Sequence, residues 1–344
     1  MDELNLVLSE FDGKSILDWE VTLDIKGAKK YILVAGIDYH TGNSFIKYCN
    51  DYKAKIIANN KHKEDLTFII IDMKGTIETI DNGKSISIEN YDKISKSNYP
   101  ASKGHAFDSL GKSKYITKKN IYDIIEKIGK DDTNTLQEVH IFSHAYSGGP
   151  ILANSSQNDA IDLDIRINDI KNTTFNFANF KSAFTSTGVF KIWGCQSHPP
   201  FNYLIKKIMQ NPKYKKDGST KDSDKFLVND IAIPGNEVLS RYIDTKYYSK
   251  LPNGQLKFTF FQVKKIFSES YCANYAAWLA YKVDVKVQYS LPATYASFGS
   301  PEIFRISDDT KMNVPFFEKY LGITIGELNY GIYDKTTVGK LLTP

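Results

Sequence analysis

The sequence predicts an α/β protein with a mostly parallel sheet and helices on both faces. Continuous apolar runs, typical of strands buried on both sides, occur at residues 31–36, 66–72, 136–143 and 189–193. Segments with helical character separate several of these runs, and strands that alternate with helices favour parallel pairing. With 42% hydrophobic residues, a chain of 344 residues can bury a large core.

The amino-terminal half supplies the first strands of this prediction. Strand 31–36 is followed by a predicted helix at 43–59 and by strand 66–72. Two shorter strands then flank Asp81-Asn82-Gly83, a turn sequence typical of β-hairpins. We therefore expect a hairpin that decorates the sheet, and after it a helix at 117–128 with its isoleucines on one face.

The carboxyl-terminal half is predicted to add strands 136–143 and 189–193, each of which runs into a residue with a reactive side chain. Further elements are expected in this half: helices at 200–210, 237–248 and 267–281, and a strand at 283–288. The predicted organisation is an amino-terminal extension at 1–28, one domain at 29–300 with insertions near 74–116 and 212–235, and a carboxyl-terminal extension at 301–344.

Charge and cysteine content narrow the function classes. The net charge of +4 gives no indication of nucleic-acid binding. Two lysine clusters are expected to be solvated, with an anionic activator as the alternative: Lys112, Lys114, Lys118 and Lys119, and Lys213, Lys215, Lys216, Lys221 and Lys225. Three cysteines argue against a disulfide framework. No run is long enough for a transmembrane helix, and no basic leader is present, which predicts a cytoplasmic protein or export without a cleaved signal.

Two motifs carry candidate chemistry. The first delivers His144 at the end of strand 136–143 into a loop of small residues, Ala145-Tyr146-Ser147-Gly148-Gly149. The second delivers Cys195 after Gly194 at the end of strand 189–193. Because ligand crevices in open α/β sheets lie at the carboxyl ends of the strands, we expect the two side chains to meet there.

The residue types in these motifs suit nucleophilic catalysis. A thiol needs a neighbouring imidazole to take its proton or to stabilise its thiolate, and His144 fits that role for Cys195. Backbone N–H groups near Ala145, Gly148 and Gly194 are candidates for an oxyanion site.

Both motifs resemble those of the caspase-like superfamily of cysteine peptidases, which includes caspases, gingipain- and clostripain-type enzymes and the autoprocessing domains of large bacterial toxins. The matching segments are Ile141-Phe142-Ser143-His144 and Phe190-Lys191-Ile192-Trp193-Gly194-Cys195, and the toxin domains are nearest at Gly194-Cys195. The resemblance implies a caspase-like sheet and a His144–Cys195 dyad. Ala145 stands where the family usually has glycine.

Several other residues have both structural and functional interpretations. Asp162, Asp164 and Arg166 are expected either to form a solvated connection, to shape a substrate pocket or to mark a loop cleaved on activation. His198, Tyr295 and Ser297 are further pocket candidates. Cys195-x-x-His198 has the spacing of zinc ligands, with His144 as a third ligand, but no fourth ligand follows from the sequence. His140 is expected to be packed or hydrogen-bonded, and Cys49 and Cys272 to be buried as small hydrophobes.

The prediction is therefore a cysteine-dependent hydrolase, needing no metal or cofactor, that acts on a peptide or protein, including its own chain. A bacterial effector or toxin component is the expected context. Two alternatives stay open: a caspase-fold binding or toxin accessory protein without catalysis, for which Ala145 is the motive, and a hydrolase of non-peptide esters or amides.

Overall fold

The computed structural model describes residues 28–94, 114–155, 162–196, 198–230, 232–233, 237–297 and 304–342. The predicted amino-terminal extension, residues 1–28, lies outside these ranges except for its last residue. Residues 95–113 of the predicted insertion near 74–116 lie outside them as well.

The strands of the described residues are numbered in chain order. They are β1 (Lys29–Ala35), β2 (Leu66–Asp72), β3 (Thr76–Asp81), β4 (Lys84–Asn90), β5 (Leu136–Phe142), β6 (His144–Tyr146), β7 (Gly149–Ile151), β8 (Phe184–Trp193), β9 (Lys225–Asn229), β10 (Ala232–Ile233), β11 (Glu237–Val238), β12 (Ser249–Lys250), β13 (Gln255–Thr259), β14 (Val287–Tyr289), β15 (Ala296–Ser297), β16 (Arg305–Ile306) and β17 (Gly331–Tyr333).

The helices are numbered in the same way. They are α1 (Ile46–Asn59), α2 (Lys118–Asp131), α3 (Ile167–Lys171), α4 (Phe177–Ala183), α5 (Pro199–Met209), α6 (Phe260–Cys272), α7 (Tyr275–Val283), α8 (Asp308–Lys311), α9 (Val314–Leu321) and α10 (Lys335–Leu342).

Eight strands form the central sheet in the order β17-β14-β8-β5-β1-β2-β3-β4. The five strands from β14 to β2 are parallel to one another, whereas β17, β3 and β4 pair antiparallel to their neighbours. The predicted α/β class with a mostly parallel sheet is therefore confirmed, as is the hairpin, which extends one edge as β3 and β4. From β1, the chain adds β2 on one side and then β5, β8 and β14 on the other, so the strand order switches between β1 and β5. Such a switch point opens a crevice at the carboxyl ends of the strands.

Alternating side chains of the central strands face two hydrophobic layers. Along β1, Ile32 and Val34 belong to a large core that includes residues of α2, α6 and α7, whereas Leu33 and Ala35 face a smaller core beneath α1. Both faces of the sheet are thus covered by helices, which explains why its strands read as continuous apolar runs.

Two predicted helices differ from the structure. Residues 237–248 form a short strand and two single 3₁₀ turns, because the side chains of Asp230 and Asp244 accept hydrogen bonds from nearby backbone N–H groups and compete with a continuous helix. The predicted helix 267–281 is two helices, since the buried side chain of Asn274 caps the second one by accepting from the N–H of Ala277.

The last part of the chain belongs to the central sheet. Residues 331–333, which the sequence places in a carboxyl-terminal extension, form β17 and pair with β14. Helix α10 then packs against α6 and α7. Across the described ranges, no helix combines the length and the apolar character needed to cross a membrane.

Candidate active site

The carboxyl ends of β5 and β8 bring the two sequence motifs together. Phe142 of β5 lies opposite Trp193 of β8 in a parallel register, so His144 and Cys195 each follow two residues after this pair. The segments that follow the two strands touch at Gly194, where an added Cβ atom would lie 2.6 Å from the Cβ of Ala145 and 2.9 Å from the carbonyl oxygen of Ser143. Only glycine lets the cysteine segment approach the histidine segment this closely.

A carboxylate from a third strand end holds the imidazole of His144. Asp38 lies in the loop after β1, and its Oδ1 is 3.0 Å from Nε2 of His144. Asp38 also accepts hydrogen bonds from the hydroxyl of Thr41, at 2.7 Å, and from the N–H of His40, at 3.0 Å. The ring of Tyr39 lies 4.2 Å from that of His144, centroid to centroid, so the imidazole is largely buried. This arrangement fixes the orientation of the ring.

The pKa values of this histidine and of its carboxylate are both lowered, for different reasons. Burial lowers the pKa of His144, and the bonded Asp38 carboxylate only partly opposes this. For Asp38, burial opposes ionisation, but the hydrogen bonds from His144, Thr41 and His40 outweigh it and lower the pKa. At neutral pH the pair is therefore a neutral imidazole beside an ionised carboxylate.

The thiol of Cys195 is partly exposed and borders an apolar cluster. Its Sγ accepts a hydrogen bond from the N–H of Ala296 at 3.2 Å, and it packs beside the cluster that contains Trp193, Phe304 and Tyr330. Burial raises the pKa of the Cys195 thiol, and the Ala296 N–H opposes this in part. The resting side chain is therefore a thiol rather than a thiolate.

The small residues after His144 form a tight turn between β6 and β7. Ala145 pairs with Pro150 and is buried. Gly148 accepts a hydrogen bond from the N–H of Ile167 through its carbonyl oxygen, and a Cβ there would lie 2.5 Å from the ring of Tyr146. Gly149 has a positive φ of 138°, and a Cβ there would meet the carbonyl oxygen of Ile165 at 2.4 Å. Both glycines have a packing role, and the oxyanion role of Ala145, Gly148 and Gly194 stays a prediction.

The predicted pocket residues Asp162, Asp164 and Arg166 bind one another. The Arg166 guanidinium lies 2.9 Å from Asp162 through Nε and 3.5 Å from Asp164 through one terminal nitrogen, and it also donates to the hydroxyl of Tyr146 at 3.3 Å. Burial raises the pKa of Asp164 to about 6. These charges tie residues 162–166 to the loop after His144, so the structure gives them a positioning role, and contact with substrate stays a prediction.

The other predicted pocket residues lie on two further segments. His198 precedes α5, and its ring packs against Phe201 and Tyr242. Tyr295 and Ser297 flank Ala296, and Ser297 pairs with Arg305. These two residues are therefore adjacent to the Cys195 thiol in the fold. Within the described ranges, no three His, Cys, Asp or Glu side chains are grouped to hold a metal ion, so the zinc interpretation of Cys195 and His198 gains no support.

Two lysines of the first cluster form internal ion pairs, whereas Lys112 lies outside the described residues. Lys118 lies 2.7 Å from Asp162 and 2.8 Å from Asp169, and Lys119 pairs with Asp123. In the second cluster, Lys213 and Lys215 donate to backbone carbonyl groups. An anionic activator at these lysines is not supported.

Three contributors to the site were not predicted from the sequence: Asp38, Ala296, and Tyr289, whose hydroxyl donates to the backbone carbonyl groups of Tyr146 and Cys195. The position of Asp38 just after strand 31–36 is a usable signal, because the carboxyl ends of parallel strands share one edge of the sheet. Tyr289 contributes a hydrogen bond from its hydroxyl, and Ala296 contributes its backbone N–H. Neither contact corresponds to a pattern in the sequence.

Comparisons with known proteins add little to this geometry. No family model and no curated protein matches the chain. A solved structure of a secreted C11 cysteine protease from Bacteroides thetaiotaomicron, in complex with an irreversible peptide inhibitor, is similar at 11% identity and a TM-score of 0.26, over 72% of this chain and 59% of that one. A structure of a secreted C11 cysteine protease from the same organism, called iotapain, is similar at 10% identity and a TM-score of 0.24, over 91% of this chain and 83% of that one. These values are too low to support an argument about function.

Proposed function

We propose that the protein is a cysteine peptidase in which Cys195 is the nucleophile and His144 the general acid and base. One observation supports the proposal: the segment of Cys195 and the segment of His144 approach each other closely at Gly194, and Asp38 holds the imidazole of His144. A nucleophile, a base and a group that orients the base are the three parts that such catalysis requires.

The proposed reaction begins from the neutral pair. Nε2 of His144 carries the hydrogen that it donates to Asp38, so Nδ1 is the nitrogen that takes the thiol proton. As that proton leaves, Sγ of Cys195 forms a bond to the acyl carbon of the substrate, and negative charge develops on the carbonyl oxygen. Backbone N–H groups near Ala145 and Gly194 are the proposed donors to this oxygen.

The remaining steps regenerate the enzyme. The C–N bond breaks, and the leaving amine takes the proton from His144, which leaves a thioester on Cys195. His144 then accepts a proton from water, whose oxygen attacks the thioester carbon, and the released thiolate recovers that proton. Asp38 stabilises the imidazolium that forms in each half of the reaction, in line with its lowered pKa.

The substrate class in this proposal is a peptide or protein, with cleavage of the chain itself as one case. A role as an effector or toxin component, and a location in the cytoplasm or outside the cell, remain proposals.

The test is cleavage of a diverse peptide library by the full chain, read by mass spectrometry. We expect cleavage that disappears in Cys195→Ala and persists in Cys272→Ala, since Cys272 is buried away from the site. Cleavage that survives in Cys195→Ala would overturn the proposal. If a parallel set of non-peptide esters and amides is cleaved and no peptide is, the alternative of a non-peptide hydrolase is correct, and if nothing is cleaved, the binding-protein alternative is favoured.

A further inference from the structure

One buried hydroxyl reaches both candidate catalytic segments. Tyr289 is the last residue of β14 and has no exposed surface. Its hydroxyl oxygen lies 2.6 Å from the carbonyl oxygen of Tyr146, two residues after His144, and 3.2 Å from the carbonyl oxygen of Cys195. A phenol has one hydrogen to donate, so the nearer carbonyl takes most of the bond and the other shares it.

This contact completes the fixation of the peptide unit that follows Cys195. The carbonyl of that unit belongs to Cys195 and accepts a hydrogen bond from the Tyr289 hydroxyl. Its N–H belongs to Gln196 and donates to the carbonyl oxygen of Thr294 at 3.1 Å. With both polar ends of the unit bonded, its plane cannot rotate without breaking a buried hydrogen bond. The backbone on the carboxyl side of Cys195 is therefore held by β14 and by the loop that follows it.

The hydroxyl remains a donor over the whole range in which a peptidase would work. Burial raises the pKa of Tyr289 well above its usual value, and nearby groups that include Cys195 add to the shift. The other fully buried tyrosine hydroxyls do not all act in this way. Tyr271, for example, donates at 2.9 Å to the carbonyl oxygen of Ile332 in the edge strand β17.

We propose that Tyr289 is a positioning residue, whose hydroxyl ties the segment after His144 to the segment at Cys195 and so keeps base and nucleophile aligned. The inference rests on the proposed function for its catalytic consequence, but the tie itself is a property of the fold. Tyr289 does not contact the reacting atoms in this account, and its effect passes through the two backbone carbonyls.

The experiment compares Tyr289→Phe with Tyr271→Phe, which removes a hydroxyl of the same kind from a bond away from the site. The first readout is hydrogen exchange of the full chain, resolved to the peptides that contain Tyr146 and Cys195. The second is the rate of iodoacetamide alkylation at Cys195 near pH 7, located by peptide mapping, in the wild type, in both tyrosine variants, in His144→Ala and in His144→Ala combined with Tyr289→Phe.

We expect Tyr289→Phe to raise exchange in both peptides together and to slow alkylation by about two- to tenfold, the effect of one hydrogen bond. Tyr271→Phe is expected to do neither. In the His144→Ala background, loss of the Tyr289 hydroxyl is expected to have no further effect on alkylation, because there is no base left to align.

Unchanged hydrogen exchange in either peptide would show that the Tyr289 hydroxyl does not tie the two segments together. Slower alkylation of the same size with and without His144, or the same changes in Tyr271→Phe, would overturn the positioning role. If alkylation of the wild type does not depend on His144, the proposed function fails and with it the catalytic consequence, whereas the exchange measurement still decides whether the tie exists.

Discussion

Two histidines four residues apart, His140 within β5 and His144 just past its end, have similar partners. Each has Nε2 within 3.0 Å of a carboxylate, from Glu138 for the first and from Asp38 for the second. In both, burial lowers the pKa of the imidazole and the carboxylate opposes this. A histidine paired with a carboxylate is therefore not by itself a sign of catalysis.

Their surroundings separate the two. His140 lies inside the sheet, where its Nδ1 accepts a hydrogen bond from Nε1 of Trp193 at 2.9 Å, so both ring nitrogens are bound within the core. This confirms the expectation that it is packed and hydrogen-bonded. His144 lies past the end of the strand, next to the segment of Cys195. Position at the carboxyl edge of the sheet, next to the segment of the candidate nucleophile Cys195, is what distinguishes the candidate catalytic residue.

The largest expected effect comes from removing each histidine in turn. His144→Ala is expected to lower kcat/KM of peptide cleavage by about 10² to 10⁴-fold, the usual contribution of a general base. Its cost in stability should be about 1 kcal/mol, an ordinary value for one substitution. His140→Ala should instead cost about 2 to 3 kcal/mol, because the buried Trp193 N–H loses its acceptor and Glu138 loses one of its partners, keeping only Lys191 at 2.6 Å.

Denaturant unfolding and kinetics, measured at a temperature where both variants are folded, test this contrast. The comparison fails if His140→Ala loses activity while retaining stability, or if His144→Ala keeps full activity.

A second prediction concerns the close approach between the segments of His144 and Cys195. Gly194→Ala inserts a methyl group against Ala145 and the carbonyl of Ser143, so the segments must separate. Misplacement of reacting groups by an ångström costs about 100-fold in rate, and overpacking costs about 1 to 3 kcal/mol. The control is Gly339→Ala in α10, where the new methyl would lie 3.6 Å from the ring of Tyr281, an ordinary contact.

Kinetics and thermal unfolding of both glycine variants are the measurements. Full activity in Gly194→Ala would show that the two segments need not touch for function, and the geometric argument for the site would then be wrong.

A third prediction concerns Asp38, the carboxylate that holds the imidazole of His144. Loss of the charge-assisted bond to His144 should lower kcat by about 10- to 100-fold. Because the Asp38 carboxylate raises the pKa of His144 against burial, its removal should lower that pKa further. The acid limb of the rate profile, which reports protonation of the base, should then move to lower pH.

The pH dependence of kcat/KM for the wild type and Asp38→Asn provides this test. An acid limb that stays in place or moves to higher pH would contradict the assignment of Asp38 as the partner that acts through His144.

The smallest expected effect is on stability against pH, and it belongs to His140. Its folded pKa lies below the unfolded value of about 6.5, so the unfolded chain binds the proton more readily. The stability that neutral His140 contributes is thus present above pH 6.5 and is lost as the pH falls through its lowered pKa. The limiting slope is about 1.4 kcal/mol per pH unit for one proton.

Glu138 adds to the loss at lower pH. Burial opposes its ionisation, but His140 and Lys191 bring its pKa down to about 2, so its contribution is present above about pH 4.5 and is lost toward pH 2. Denaturant unfolding between pH 7.5 and 5.5 should give a shallower slope for His140→Gln than for the wild type. Equal slopes would show that His140 does not resist protonation.

The sequence was sufficient for the parts of this picture that depend on local pattern. The strands that end before His144 and Cys195 are apolar runs bounded by small or polar residues, and such runs can be recognised as buried strands from the sequence alone. The packed role of His140 followed from strand spacing. The predicted helix at 237–248 does not form, because the carboxylate of Asp230 accepts a hydrogen bond from the N–H of Ser240, ten residues later, and this contact sets the local conformation.

The rest of the site depends on groups far apart in the chain. Asp38 reaches His144 across 106 residues, and Tyr289 reaches Cys195 across 94. Contacts of this kind follow from the strand order of the sheet, which one sequence without the fold does not specify.

The most direct test of the central claim is labelling of Cys195 by peptidyl ketone electrophiles that vary in the residue next to the ketone, mapped by mass spectrometry. We expect at least one such reagent to modify Cys195, and neither Cys49 nor Cys272, and we expect His144→Ala to slow this labelling by about 100-fold or more. Labelling that proceeds equally in His144→Ala, or that never reaches Cys195 with any reagent in a protein shown to be folded, would contradict this claim.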